Sequence, residues 1–185
     1  MAMSMVGRTG LAFAALVVGL NAAGAAEATR LGTYKNWTAW TSTDDNGKIC
    51  YISANPQDKQ PPTLDHGDIF FFVIDREKAP VFSADGKTVT GYQPMRGEVQ
   101  AQMGYAIKLD GNLFADIDGK SYKMRAADQT MWLYAAADEA GFVEAMKAGT
   151  QLVVKSTSAR GNDTTYTYSL SGVTAAMAEI AKACP

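Results

Sequence analysis

Four patterns of apolar and polar residues divide the chain. From Ile69 to Ile74 every position is apolar (IFFFVI), with charges only at the flanks. A strand with one wet face would alternate, so this run predicts a central strand covered on both faces. From Thr164 to Leu170 the residues do alternate. Thr164, Tyr166, Tyr168 and Leu170 face one way, and Thr165, Thr167 and Ser169 the other, as in a half-buried strand. After Ser171 the period becomes helical: Val173, Met177, Ile180 and Cys184 recur at i, i+4, i+7 and i+11. At about 100° per residue these fall within roughly 40° of one another. A closing helix is predicted, capped by Ser171, with Cys184 on its inward stripe. The fourth pattern comes first in the chain. Arg8, the apolar run Leu11 to Leu20 and the small residues NAAGAAEA stand in that order, which is the order of a secretory signal peptide. The run has roughly half the ~20 residues of a membrane span. Residues 1–25 are therefore expected to be removed, leaving a single domain over 29–185 with no transmembrane anchor.

The intervening stretches fill in a mainly β protein. Tyr34 to Thr43 and Lys48 to Ala54 form a predicted hairpin through Asp44 to Gly47, since Asn and Gly tolerate positive φ. Asn55 to Gly67, with Pro56, Pro61 and Pro62, reads as a surface connection. Glu77 to Gly97 is the least regular part, with an Asp85-Gly86-Lys87 turn between VFSA and TVT. Gly97 to Leu109, Asn112 to Ile117 and Lys120 to Met124 are short strands joined by Asp110-Gly111 and Asp118-Gly119, an antiparallel meander. MWLY at Trp132 and Leu152 to Ser158 add strands. Asp138 to Lys147 is an amphipathic helix with Phe142, Val143 and Met146 on one face. Eight to ten strands with two helices predict an antiparallel β-sandwich; a small closed β-barrel is the structural alternative.

Charge narrows the function classes. The chain has 17 basic and 19 acidic residues, and removal of the leader takes Arg8 with it. So mild an acidity, without basic clusters, argues against nucleic-acid binding, which rests on Lys and Arg against phosphate. The only cysteines are Cys50 and Cys184, and in an exported chain two cysteines most simply pair. Two free thiols, or a catalytic thiol with His66, are the rival readings.

Catalytic chemistry finds few residues. His66 is the only histidine, which excludes multi-histidine metal sites and limits acid–base schemes. In Asp65-His66-Gly67-Asp68 it is either a base oriented by an aspartate or, more simply, part of a solvated turn. Asp116-x-Asp118-Gly119 lacks the further oxygen ligands of a calcium loop and is expected to be a turn. No nucleophile elbow or phosphate-binding glycine loop is present, and no cofactor or metal is expected. Phe82, Tyr92, Met95 and Arg96 are better candidates for recognition, because aromatic, Met and Arg side chains on a loop are common partner anchors.

One set of motifs resembles a known family. Trp37-Thr38-Ala39-Trp40-Thr41, GKICYIS from Gly47, Asn55-Pro56, Gly104-Tyr105, Trp132-Leu133, FVEAMKAG from Phe142, SARG from Ser158 and YSLSGVTAAMAEIAKAC from Tyr168 are similar to the invasion-associated locus B family over essentially the whole mature chain. Asn162 and Tyr166 depart from the Thr and Asp usual there, and Lys78 to Gly97 is longer than the usual pattern. The resemblance implies an immunoglobulin-like β-sandwich with linked cysteines, a periplasmic or secreted location in an alphaproteobacterium, and no established enzyme activity. It also implies an association with host-cell entry in pathogenic relatives. The expectation is a non-enzymatic envelope protein that binds an unknown protein or envelope component. Phe82, Tyr92, Met95 and Arg96 would make the contact, with Arg160 as a further surface contact. A periplasmic small-ligand binder, or a protein of envelope homeostasis, is the alternative.

Overall fold

The alternation of buried and open positions along the chain resolves into eleven strands in the computed structural model, which describes residues 27–185. The leader expected over residues 1–25 lies outside the described residues. In chain order the strands are β1 Thr29–Tyr34, β2 Trp37–Asp44, β3 Gly47–Ala54, β4 Asp58–Gln60, β5 Phe70–Phe82 and β6 Val89–Gln102. They continue with β7 Phe114–Ile117, β8 Lys120–Ala127, β9 Thr130–Leu133, β10 Gln151–Thr157 and β11 Asp163–Ser169. Helix α1 (Glu139–Ala148) precedes β10, and α2 (Val173–Ala183) closes the fold.

Every strand pair is antiparallel, in the order β1-β2-β3-β5-β6-β9-β8-β7-β10-β11-β4. The terminal strands β1 and β4 do not pair with each other, so the ladder is open and the closed barrel is excluded. The ladder instead folds over on itself. The Phe71 ring of β5 lies 5.7 Å from the Tyr168 ring of β11, although six places separate those strands in the ladder. Trp37 Nε1 crosses the same gap to donate to the Ser169 carbonyl at 2.9 Å. Two faces of one ladder thus enclose an apolar layer, and the result is an antiparallel β-sandwich with two short helices. Phe142 of α1 enters this layer against Phe71 and Tyr122. Phe142, Val143 and Met146 are the residues α1 buries, as their spacing predicts.

Helix α2 packs against β1, β2 and β3 and brings Cys184 to Cys50, to which it is bonded with Cα atoms 6.1 Å apart. Both cysteines are buried. Their separation of 134 residues corresponds to about 4–5 kcal/mol in the chain-entropy treatment, with ~2–4 more typical. The cap of α2 differs from expectation. Gly172, not Ser171, is the N-cap, with φ 104° and no side-chain bond. A Cβ there would overlap the Tyr34 carbonyl, so the close approach of α2 to β1 requires glycine.

Three further differences bear on function. The connection Asn55 to Gly67 contains β4, which pairs with β11, and its His66 is buried. The central strand β5 buries Phe71 and Val73 fully, but Phe70 and Phe72 on its other face are only half-buried. On that face the aromatic rings of Phe70, Phe72, Tyr51 and Trp40 pack on one another. Finally, most of Glu77 to Gly97 is not irregular. It is the outer half of a long ribbon formed by β5 and β6.

Candidate functional site

The β5–β6 ribbon leaves the sheet because its neighbours stop. On one side β3 pairs with β5 only as far as Ile49↔Arg76. On the other, β9 pairs with β6 only at Gln100 to Gln102. Beyond Arg76 the two strands continue alone as an arm. Irregular pairing marks its base: Ile74 pairs with Glu98, but Arg76 pairs with Met95, so Asp75 faces an extra residue. Its Oδ1 accepts the Gly97 N–H at 2.8 Å, and Gly97 takes φ 73°. Burial raises the Asp75 carboxyl above its ordinary range, opposed by the Gly97 bond and by the charges of Arg96 and Lys147.

Register decides which side chains the arm presents. Pro80 pairs with Tyr92 and Phe82 with Val89. Cross-strand partners project to one side, as do residues two apart along a strand. An extra residue, Thr90, lies between the Val81↔Gly91 and Phe82↔Val89 pairs. Pro80 and Phe82 are nonetheless two apart on β5, so the pairs Pro80–Tyr92 and Phe82–Val89 share one face. Phe82, Val89 and Tyr92 are 54%, 44% and 57% exposed. The turn at the tip is held by Asp85, which accepts from the Ser83 hydroxyl and the Lys87 N–H. These bonds hold its carboxyl below the usual range.

The four residues expected here divide. Phe82 and Met95 line one hollow of about 360 Å³ with Arg76, Pro80 and Glu98, and Tyr92 stands on the same arm. Arg96 is differently employed. Its Nη2 donates to the Pro185 carbonyl at 2.6 Å, while Lys48 Nζ donates to the Ala183 carbonyl at 2.6 Å. Arg96 thus ties the chain end to the base of the arm.

Arg160 belongs to a separate cavity of about 460 Å³, lined among others by Leu64, His66, Tyr105, Ser158 and Thr164. Its floor is a chain of hydrogen bonds that sequence reading missed. His66 Nε2 lies 2.9 Å from the Pro61 carbonyl, and Nδ1 2.9 Å from the Tyr166 hydroxyl. Tyr166 donates to the Tyr105 hydroxyl at 2.9 Å, Tyr105 meets Thr164 Oγ1 at 2.6 Å, and Thr164 donates to the Ser156 carbonyl at 3.0 Å. Both ends are carbonyls, which only accept. Whether the His66 ring carries one N–H or two, the four side chains supply no more protons than these five contacts take up. The floor has no donor to spare for a ligand. Burial also pushes the Tyr166 hydroxyl far above the phenol range, and the Tyr105 hydroxyl adds to this.

This arrangement corrects both readings of His66. It is 7% exposed rather than solvated, and Asp65 does not orient it, because Asp65 Oδ1 accepts the Gly67 N–H instead. Cys50 and Cys184 are bonded to each other, so neither is a thiol partner for it. Gly104 packs so closely on this loop that a Cβ would overlap the His66 carbonyl. On the exposed rim, the Arg160 side chain has no hydrogen bond or ion pair among the described residues. The Asp116 carboxylate is taken up by the Gly119 N–H and the Ser121 hydroxyl. Asp118 is taken up by Thr150 and Gln151. Among the described residues no cluster of three His, Cys, Asp or Glu side chains is placed to hold a metal.

Residues 37–181 match the family described as invasion associated locus B (IalB) protein. The chain belongs to the invasion associated locus B family. The matched range includes the arm, the cavity and most of α2, and stops short of Cys184. Among solved structures, the chain is similar to the crystal structure of invasion associated protein B from Bartonella henselae. Identity is 13% and the TM-score 0.49, with 82% of this chain and 96% of that chain covered. No curated protein matches. Among the described residues no helix is long and apolar enough to cross a membrane.

Proposed function

We propose that this chain is an exported, non-enzymatic protein of the cell envelope that acts by binding a protein or other envelope component through the β5–β6 arm. In an organism that invades host cells, such binding would serve entry, in keeping with the family's description. The observation that carries this reading is the apolar face of the arm. Of five large apolar side chains left exposed among the described residues, three are Phe82, Val89 and Tyr92. Apolar side chains gathered on one projecting face mark an interaction site, whereas scattered ones do not. The buried Cys50–Cys184 bond supports an oxidising, extracytoplasmic location, and the leader motif over residues 1–25 supports export. A small-ligand role has less behind it, because the polar floor of the Arg160 cavity is spent on its own bonds.

The test is cross-linking in intact cells followed by mass spectrometry, comparing the wild type with Phe82→Ser/Val89→Ser/Tyr92→Ser. Partner capture is expected to fall at least tenfold, while Tm shifts by less than about 3 °C, as for surface substitutions. Undiminished capture by a folded triple variant would remove the arm from the binding site.

A further inference from the structure

The charges around the arm's apolar face indicate what it meets. The segment Glu77 to Gly97 contains Lys78, Lys87 and Arg96 against Glu77 and Asp85, one net positive charge in a chain of net charge −2. Both acids are engaged. Glu77 Oε2 accepts the Lys48 N–H at 3.0 Å, and Asp85 holds the tip turn. Arg96 is held by the Pro185 carbonyl. The side chains of Lys78 and Lys87 have no hydrogen bond or ion pair among the described residues. Lys78 lines the same hollow as Pro80 and Phe82, at the inner end of the apolar face. Lys87 stands in the turn at its outer end. The face is thus a short apolar strip with an uncommitted ammonium at each end.

We propose that this face lies flat on an anionic lipid surface, with Phe82, Val89 and Tyr92 entering the boundary between headgroups and acyl chains. Lys78 and Lys87 reach lipid phosphates from either end. This rests on the binding role of the arm given above and names the partner class. Insertion by the tip is disfavoured, because it would carry ionised Asp85 and Lys87 into hydrocarbon ahead of the apolar residues. Lying face-down keeps both lysines at headgroup level, where long side chains extend to phosphate. Tyr92 has the apolar ring and polar tip that suit this boundary. A protein partner would need an acidic group matched to each lysine. An anionic lipid surface supplies phosphate at every position.

Flotation of the intact protein with vesicles tests the idea. Vesicles of phosphatidylglycerol and phosphatidylcholine are compared with phosphatidylcholine alone. Binding is expected only with the anionic vesicles, weakening as salt rises. Lys78→Gln/Lys87→Gln should weaken it about fivefold per lysine removed, and Phe82→Ser/Val89→Ser/Tyr92→Ser should abolish it. Unaltered Tm in the lysine variant separates this loss from misfolding. Equal binding to phosphatidylcholine alone would overturn the anionic assignment. Absence of flotation, together with loss of protein cross-links in the triple variant, would identify a protein partner: the lipid inference would fall and the arm would stand. Absence of flotation with cross-links undiminished would overturn both.

Discussion

The two halves of the β5–β6 ribbon have similar composition and opposite surroundings. Near the sheet, Phe71 and Val73 pair with Ala101 and Val99, and all four are fully buried. Along the arm, Phe82 pairs with Val89, and both are largely exposed. Each half is a hydrogen-bonded antiparallel pair carrying aromatic and β-branched residues. What differs is whether β3 and β9 continue alongside and whether α1 and β11 lie across. Apolar content therefore stabilises the first half and leaves the second with surface to give to a partner. The boundary falls at Asp75 and Gly97, where the register breaks.

The widest contrast is in stability. Phe71 touches the rings of Trp37, Phe142 and Tyr168, so Phe71→Ala should cost about 3–5 kcal/mol. Phe82→Ala, on the same strand, should stay within about 0.5 kcal/mol. Urea unfolding of both variants measures this. Comparable losses would erase the distinction between scaffold and arm.

A smaller effect examines the boundary through pH. The folded-state carboxyl of Asp75 is raised above its unfolded value, chiefly by burial. The folded protein therefore holds that proton more tightly than the unfolded chain. Its stabilising contribution is complete below the unfolded value, about 3.9, and is lost as pH rises through the raised folded value. Asp75→Asn keeps an acceptor for the Gly97 N–H and removes this titration. The difference in unfolding free energy between variant and wild type should move in favour of the variant as pH rises from about 4, by no more than ~1.4 kcal/mol per unit of raised carboxyl. A pH-independent difference would contradict the burial of that carboxyl.

Much of the scaffold is legible in sequence because its signals are local. The alternation of Tyr166, Tyr168 and Leu170, the face of Phe142, Val143 and Met146, and the Asp118-Gly119 turn all appear where expected. The misses depend on distant partners. Asp58–Gln60 has no hydrophobic pattern and is a strand only because β11 offers it an edge. His66 is buried through Tyr166, 100 residues away, in a Pro- and Asp-rich stretch whose local composition indicates solvent. Arg96 has the chemistry of a partner anchor, and its bond to a carbonyl 89 residues on was not legible in sequence. In the arm, glycines and prolines suggested irregularity. Gly97 instead sits at the first register break and Pro94 at the second, while Gly91 pairs with Val81, all within one strand. Phe82 and Tyr92 were identifiable as candidates, but their shared face emerges only from the register.

Amide hydrogen exchange on the intact protein, with and without envelope membranes, tests most directly whether the arm is the binding element. Slower exchange is expected across residues 79–93 when membranes are present, with no change at 64–67 or 158–162 around the Arg160 cavity. Protection at the cavity loops with the arm unchanged would contradict it.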